Sequence, residues 1–229
     1  AGMSVYDAIA HAFTTVSTGG MSTHDASLGY FDSPAILMIA DVFMLLGAIS
    51  FALHFKFIRG WSPRVYWRDE ETRVFLLTVV ALSLLITLIL WSEKVYDSPI
   101  VALSYSIFHL ISFVTSTGYG AGNYTEWPQM VALILVVAGY LGGCAGSTSG
   151  GNKIIRNILS VKLIALELKR LLHPRGIFHV KYQGEPVTAP ILSATIAFMT
   201  IAAFTSILVC VLLMVTGLDF WTALTAAAA

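Results

Sequence analysis

The sequence predicts an all-α membrane protein built from repeated units, each a helix, a re-entrant loop and a second helix. Three observations predict it. Of 229 residues, 57% are hydrophobic and only 11% charged, whereas an average soluble domain carries about 25% charged residues. Four apolar stretches are long enough to cross a bilayer, and the mean hydropathy is +0.79. A short apolar segment followed by a Ser/Thr/Gly run occurs twice. This composition excludes a disordered chain, a coiled coil and an ordinary cytosolic enzyme. Thirteen basic and thirteen acidic residues cancel, which leaves no footprint for nucleic acid. Cys144 and Cys210 are too few and too far apart for a disulfide framework or a metal cluster.

The spans follow in order. Residues 34–55 form the first; their 22 residues reach about 33 Å as a helix, against a hydrocarbon core of about 30 Å. Residues 74–91, 127–143 and 189–215 form the second, third and fourth. Pro34, Pro128 and Pro190 stand at helix starts, where the missing N–H is not needed, and Trp91 and Trp127 sit at interfacial ends. Charge then orients the chain. Twelve of the thirteen basic residues lie between spans one and two or between spans three and four, whereas residues 1–33, 92–126 and 216–229 hold seven acids and only Lys94. The positive-inside rule puts the two basic loops in the cytoplasm.

The outward segments are not simple loops. Residues 98–113 are apolar and helix-like but too short to span, and they run into TSTGYG. Non-helical backbone at membrane depth is tolerated only where it lines water or is enclosed by protein. A shift of 99 residues places Tyr6 on Tyr105 and Ser17-Thr18-Gly19 on Ser116-Thr117-Gly118. A third copy begins at span four, where Ala223-Leu224-Thr225 matches Ala102-Leu103-Ser104, so another such loop is expected just past Ala229. The chain therefore reads as part of a longer protein. Residues 1–58 are the second half of one unit, 59–73 a cytoplasmic loop, 74–172 a complete unit, 173–188 a second cytoplasmic loop, and 189–229 the first half of a further unit.

This is the organisation of a cation pore. An alkali ion sheds water only where oxygens replace it, and rings of backbone carbonyls can do so. Glycine permits the backbone angles that turn successive carbonyls inward. The preceding short helix aims its negative end at the cavity. The bland reading of a single STG is a turn; two copies behind short apolar helices argue against it.

After span three, residues 142–151 contain five glycines, each costing a helix up to about 1 kcal/mol relative to Ala. An amphipathic basic helix resumes at residues 152–172. A break here is placed to obstruct the path below the loops. Two rival readings are a phosphate-binding loop, opposed by Asn152 standing before Lys153 and by the preceding apolar span, and a flexible linker.

The segments FTTVSTGGMSTHD (13–25), TSTGYG (115–120) and GGCAGSTSGGNKIIR (142–156) resemble the TrkH/KtrB family of bacterial potassium-uptake proteins. The resemblance runs along the whole chain. It implies a potassium-channel-like fold of four helix–re-entrant pore loop–helix units, of which this chain supplies units two, three and part of four. It implies K+ as the transported ion, with no organic cofactor. The filter carbonyls map onto Val16, Ser17, Thr18 and Gly19 and onto Thr115, Ser116, Thr117 and Gly118. The intramembrane gating loop maps onto Gly142, Gly143, Gly146, Ser147, Thr148, Ser149, Gly150 and Gly151, bordered by Lys153 and Arg156. It further implies a bacterial inner-membrane location among membrane lipid, a homodimer, and a cytosolic nucleotide-binding regulatory subunit of the TrkA type.

Isolated polar residues receive plainer readings. Asp41, inside span one, is expected to pair with a basic group on another helix rather than to line the ion path. His11 and His109 are expected as hydrogen-bonded packing residues. His173 and His179 are assigned no metal. Lys153 and Arg156 either repel cations from the closed loop or anchor at the interface. The mixed-charge runs 64–73 and 163–175 are read as solvated cytoplasmic surface. A secondary transporter with broken helices and a non-conducting anchor subunit stand as alternative functions. No nucleophile–base pair suggests an enzyme.

Overall fold

The computed structural model describes residues 2–176 and 178–228; Ala1, Ile177 and Ala229 lie outside the described residues, as does the loop expected past Ala229. Helix α1 (Val5–Val16) starts at Ser4, whose hydroxyl accepts the Asp7 N–H at 3.1 Å. It is followed by α2 (Pro34–Ala48), α3 (Phe51–Gly60), the short α4 (Arg64–Arg68) and α5 (Glu70–Ser92). Next come α6 (Pro99–Val114), α7 (Gln129–Leu141) and α8 (Ile154–Leu172). A two-stranded hairpin, β1 (Lys181–Tyr182) and β2 (Glu185–Pro186), leads to α9 (Ala189–Val215) and α10 (Phe220–Ala228).

Helices α2, α6 and α9 each carry proline in the first turn, where its fixed φ favours helix and its lost donor is one of the unpaired four. In the hairpin, Lys181 pairs with Pro186 and Tyr182 with Glu185. Its turn is Gln183-Gly184, at φ +50° and +90°, the geometry that matches strand twist.

The core lies where α2, α5, α6 and α7 meet, around Met44, Ala48, Phe75, Ile86, Leu90, Phe108, Leu110 and Val131. Helix α6 is central, packed on α5, α7 and α2. In lipid, apolar burial adds little to helix association, and close packing of the surfaces takes its place. Helix α9 contacts α8 and α10 and buries only Thr195 and Cys210, so most of its apolar surface faces outward.

The spans differ in form. Helices α5 (23 residues) and α9 (27 residues) are each long and apolar enough to cross. Residues 34–55, expected as one straight span, are instead α2 and α3, bent by 98°. The cause is tertiary. In a continuous helix the Gly47 and Ala48 carbonyls would receive the N–H groups of residues 51 and 52. Here Thr148 and Cys144 donate to them at 3.1 and 2.9 Å, and Phe51 N–H turns to the Gly146 carbonyl at 3.0 Å. Span three is likewise reduced to the 13-residue α7, which ends where the glycines begin.

Candidate ion pathway

Helices α1 and α6 are followed by segments of nearly identical backbone shape, related by 98 residues. Ser17 and Thr115 cap their helices with φ/ψ of −77°/−4° and −85°/−4°. The next residues, Thr18 and Ser116, both adopt left-handed φ, +50° and +56°, and Gly20 and Gly118 follow at +65° and +83°. The Gly19 and Gly20 N–H groups turn back to the Thr14 carbonyl (2.8 and 3.4 Å), as those of Thr117 and Gly118 do to Ser112 (2.9 and 3.3 Å). The Thr14 hydroxyl donates to the Met21 carbonyl at 2.9 Å, and the Ser112 hydroxyl to that of Tyr119 at 2.8 Å. His11 and His109 obey the same shift, each with Nδ1 on the carbonyl four residues earlier, at 2.7 and 2.9 Å.

This corrects the 99-residue register read from the sequence. The structural counterpart of Gly118 is Gly20, not Gly19, and Thr117 lies opposite Gly19. The repeated string Ser-Thr-Gly is displaced by one position between the two units, and the backbone follows the helix ends rather than the string.

The geometry leaves main-chain oxygens free. With their N–H groups folded back on the helix ends, the Gly19, Gly20, Thr117 and Gly118 carbonyls accept no hydrogen bond among the described residues. The two segments also touch. A Cβ on Gly20 would lie 1.6 Å from the Thr117 carbonyl oxygen, so this position needs glycine for both its φ and its clearance. Tyr119, fully buried, ties the units together: its hydroxyl meets those of Thr14 (2.5 Å) and Thr15 (3.1 Å) and donates to the His11 carbonyl (3.3 Å).

The Gly-rich loop, residues 142–153, packs against both helix ends. The Thr148 hydroxyl donates to the Val16 carbonyl at 3.3 Å, and the Ser149 hydroxyl to that of Val114 at 3.4 Å. Val16 and Val114 are again 98 residues apart, so adjacent loop residues hold equivalent points of the two units. Gly150 faces Ser116, whose Oγ would lie 2.9 Å from an added Cβ. The stem closes at Gly142 and Gly151, at φ +72° and +73°, where a Cβ on Gly151 would come within 2.6 Å of Gly142 Cα.

The flanking cations part ways. Lys153 folds into the loop, its Nζ on the Ser149 carbonyl and 3.5 Å from Ser147 Oγ. Arg156 donates to the Asn152 carbonyl at 3.0 Å and lays its guanidinium 3.9 Å above the Phe198 ring of α9.

Three features depart from the sequence reading or were missed by it. Asp41 has an enclosed Oδ1 with no hydrogen-bond partner, and no basic side chain pairs with it among the described residues. The run 64–73 is not all solvated surface: Glu71 is 5% exposed, and its Oε1 accepts the Ala145 and Ile155 N–H groups at 2.7 and 3.0 Å. Tyr119 and Gly20 were absent from the expected site, though the spacing of the two histidines carried the correct register. No cluster of His, Cys, Asp and Glu suited to a bound metal occurs among the described residues.

Two short helices that end in touching glycine segments, set among membrane-length helices and backed by a Gly-rich loop, define a membrane protein of the pore-loop class. The TrkH family, described as cation transport protein, matches residues 1–229, and the chain belongs to this family. It is 40% identical over 97% of its length to the Trk system potassium uptake protein TrkH of Salmonella typhimurium, covering 46% of that protein. It is 40% identical over its whole length to TrkH of Vibrio parahaemolyticus, covering 48%. The crystal structure of the potassium transporter TrkH from Vibrio parahaemolyticus superposes with a TM-score of 0.94, at 40% identity, over 99% of this chain and 49% of that one. The chain spans about half the length of the curated relatives it matches.

Proposed function

We propose that this chain forms part of a pore that passes K+ inward across a bacterial inner membrane. Main-chain carbonyls of the paired segments, residues 16–20 and 114–118, replace the ion's hydration shell, and the loop at 142–153 obstructs the path beside them. The observation that carries this reading is the touching pair of segments with equivalent backbone and free carbonyls. Carbonyl oxygens suit an alkali ion because they compensate dehydration without fixing it by full charge. Helices α1 and α6 direct their C-terminal ends toward the segments, which adds negative potential where the cation sits. The relatives named as potassium uptake proteins support K+ as cargo rather than as a resident cofactor.

In the same reading, the loop is the gate, stabilised when closed by its bonds to Val16 and Val114. Its small side chains leave room to fold in and retract. The protein works as a homodimer in lipid, and its basic cytoplasmic surface docks a nucleotide-binding regulatory subunit of the TrkA type. The test is rubidium uptake by the purified full-length protein in liposomes. Uptake without any added solute supports the pore. A strict requirement for a co-transported solute, or no uptake by correctly inserted protein, rejects it in favour of a coupled transporter or an anchor subunit.

A further inference from the structure

We propose that Glu71 is the clasp of the intramembrane loop, a positioning residue that holds it closed by binding both of its flanks with one carboxylate oxygen. The inference rests on the reading of that loop as a gate. Three observations carry it.

First, the bonds straddle the loop. Glu71 Oε1 takes the N–H of Ala145, on the entering side, and of Ile155, just past the exit, at 2.7 and 3.0 Å. The Ile155 N–H belongs to the first turn of α8, where no intrahelical acceptor exists. The carboxylate thus satisfies one of the unpaired donors at that helix start, where negative charge is favoured. Pulling the loop out of place breaks at least one of these bonds and leaves a buried charge under-coordinated.

Second, the clasp is built on a fixed base. The Asp69 carboxylate caps α5, accepting the Thr72 N–H and hydroxyl at 2.8 and 2.7 Å. Asp69 also accepts the Gln183 side-chain amide at 2.6 Å, while Glu70 accepts the Gln183 N–H at 3.2 Å and pairs with Lys162 of α8 at 2.5 Å. Three consecutive acids therefore take three different jobs: Asp69 and Glu70 bind the start of α5 to the hairpin and to α8, and Glu71 reaches the loop. Burial pushes the nearby Tyr182 phenol up, and the carboxylates of Glu71 and Asp69 push it further, so it stays neutral beside them.

Third, Glu71 is enclosed although it belongs to a cytoplasmic run of charges. A buried carboxylate is costly unless hydrogen-bonded, and among the described residues its hydrogen bonds are the two to the loop flanks. Its position is explained by the loop and by little else.

The experiment compares basal rubidium flux of the full-length protein in liposomes with single-channel records. Glu71→Ala is expected to raise basal flux about tenfold through longer openings, with unitary conductance and the K+/Na+ ratio unchanged. Glu71→Gln, which keeps the accepting oxygen, is expected to restore most of the closed state. The exposed Glu167→Ala serves as a surface-charge control without effect. Should Glu71→Ala not fold, Ile155→Pro removes one donor from a first-turn position that tolerates proline and is expected to leak in the same way. A protein with residues 146–149 deleted separates the two ideas. If the deletion leaks but a folded Glu71→Ala and Ile155→Pro do not, the clasp is wrong and the gate stands. If the deletion does not leak, the gate falls and the clasp with it.

Discussion

Gly20 and Gly19 are neighbours with opposite tolerance. Gly20 combines φ +65° with a Cβ position 1.6 Å from a carbonyl oxygen, whereas an added Cβ on Gly19 meets Ser17 Oγ at 3.2 Å, an atom that can rotate away. Gly20→Ala is therefore expected to abolish rubidium uptake, and Gly19→Ala to retain a substantial part of it, measured on protein matched for insertion. Equal loss in both would restore the register read from the Ser-Thr-Gly string. Tyr119→Phe removes a hydroxyl that touches Thr14, Thr15 and His11. Net hydrogen bonds contribute about 1 kcal/mol each, so a lowered melting temperature in detergent and a reduced K+/Na+ ratio are expected together. Neither residue was legible beforehand. A tyrosine in TSTGYG looks like filter sequence, and its cross-unit bonds are decided by how α1 and α6 meet.

At the scale of elements, the bend between α2 and α3 and the glycine loop form a single feature. Gly47 and Ala48 give their carbonyls to Thr148 and Cys144, and Phe51 gives its N–H to Gly146. Each break supplies the hydrogen bonds that the other lacks, which is how non-helical backbone is tolerated at membrane depth. The loop was visible in the sequence because its glycines are dense. The bend was not, because residues 47–52 read as ordinary apolar helix until the loop competes for their backbone groups. Removing both loop hydroxyls that reach the helix ends, Thr148→Ala with Ser149→Ala, is expected to raise basal rubidium flux about thirtyfold, since losing two bonds of about 1 kcal/mol each, to Val16 and Val114, shifts an equilibrium by that much. Unchanged flux in a well-folded double variant would show that these contacts do not hold the closed state.

For the whole molecule, the distribution of charge makes a topological prediction. The positive-inside rule assigns Lys94 to the outward side with the acids and Lys181, in the first strand of the hairpin, to the cytoplasm; both are exposed. In intact cells expressing the full-length protein, Lys94→Cys is expected to react with a membrane-impermeant thiol reagent, and Lys181→Cys only after permeabilisation. The two native cysteines, Cys144 and Cys210, are buried and should give little background. The reverse pattern would invert the direction assigned to the filter.

The sequence by itself determined the membrane class, where the apolar segments lie and the presence of two related loops. These properties depend on composition, periodicity and local charge, which each segment carries independently of its neighbours. Only the tertiary structure decided the cross-unit bonds of Tyr119, the 98° bend and the burial of Glu71. Each depends on where a backbone N–H or carbonyl finds its partner once helices distant in the chain come together, and no local pattern encodes that choice.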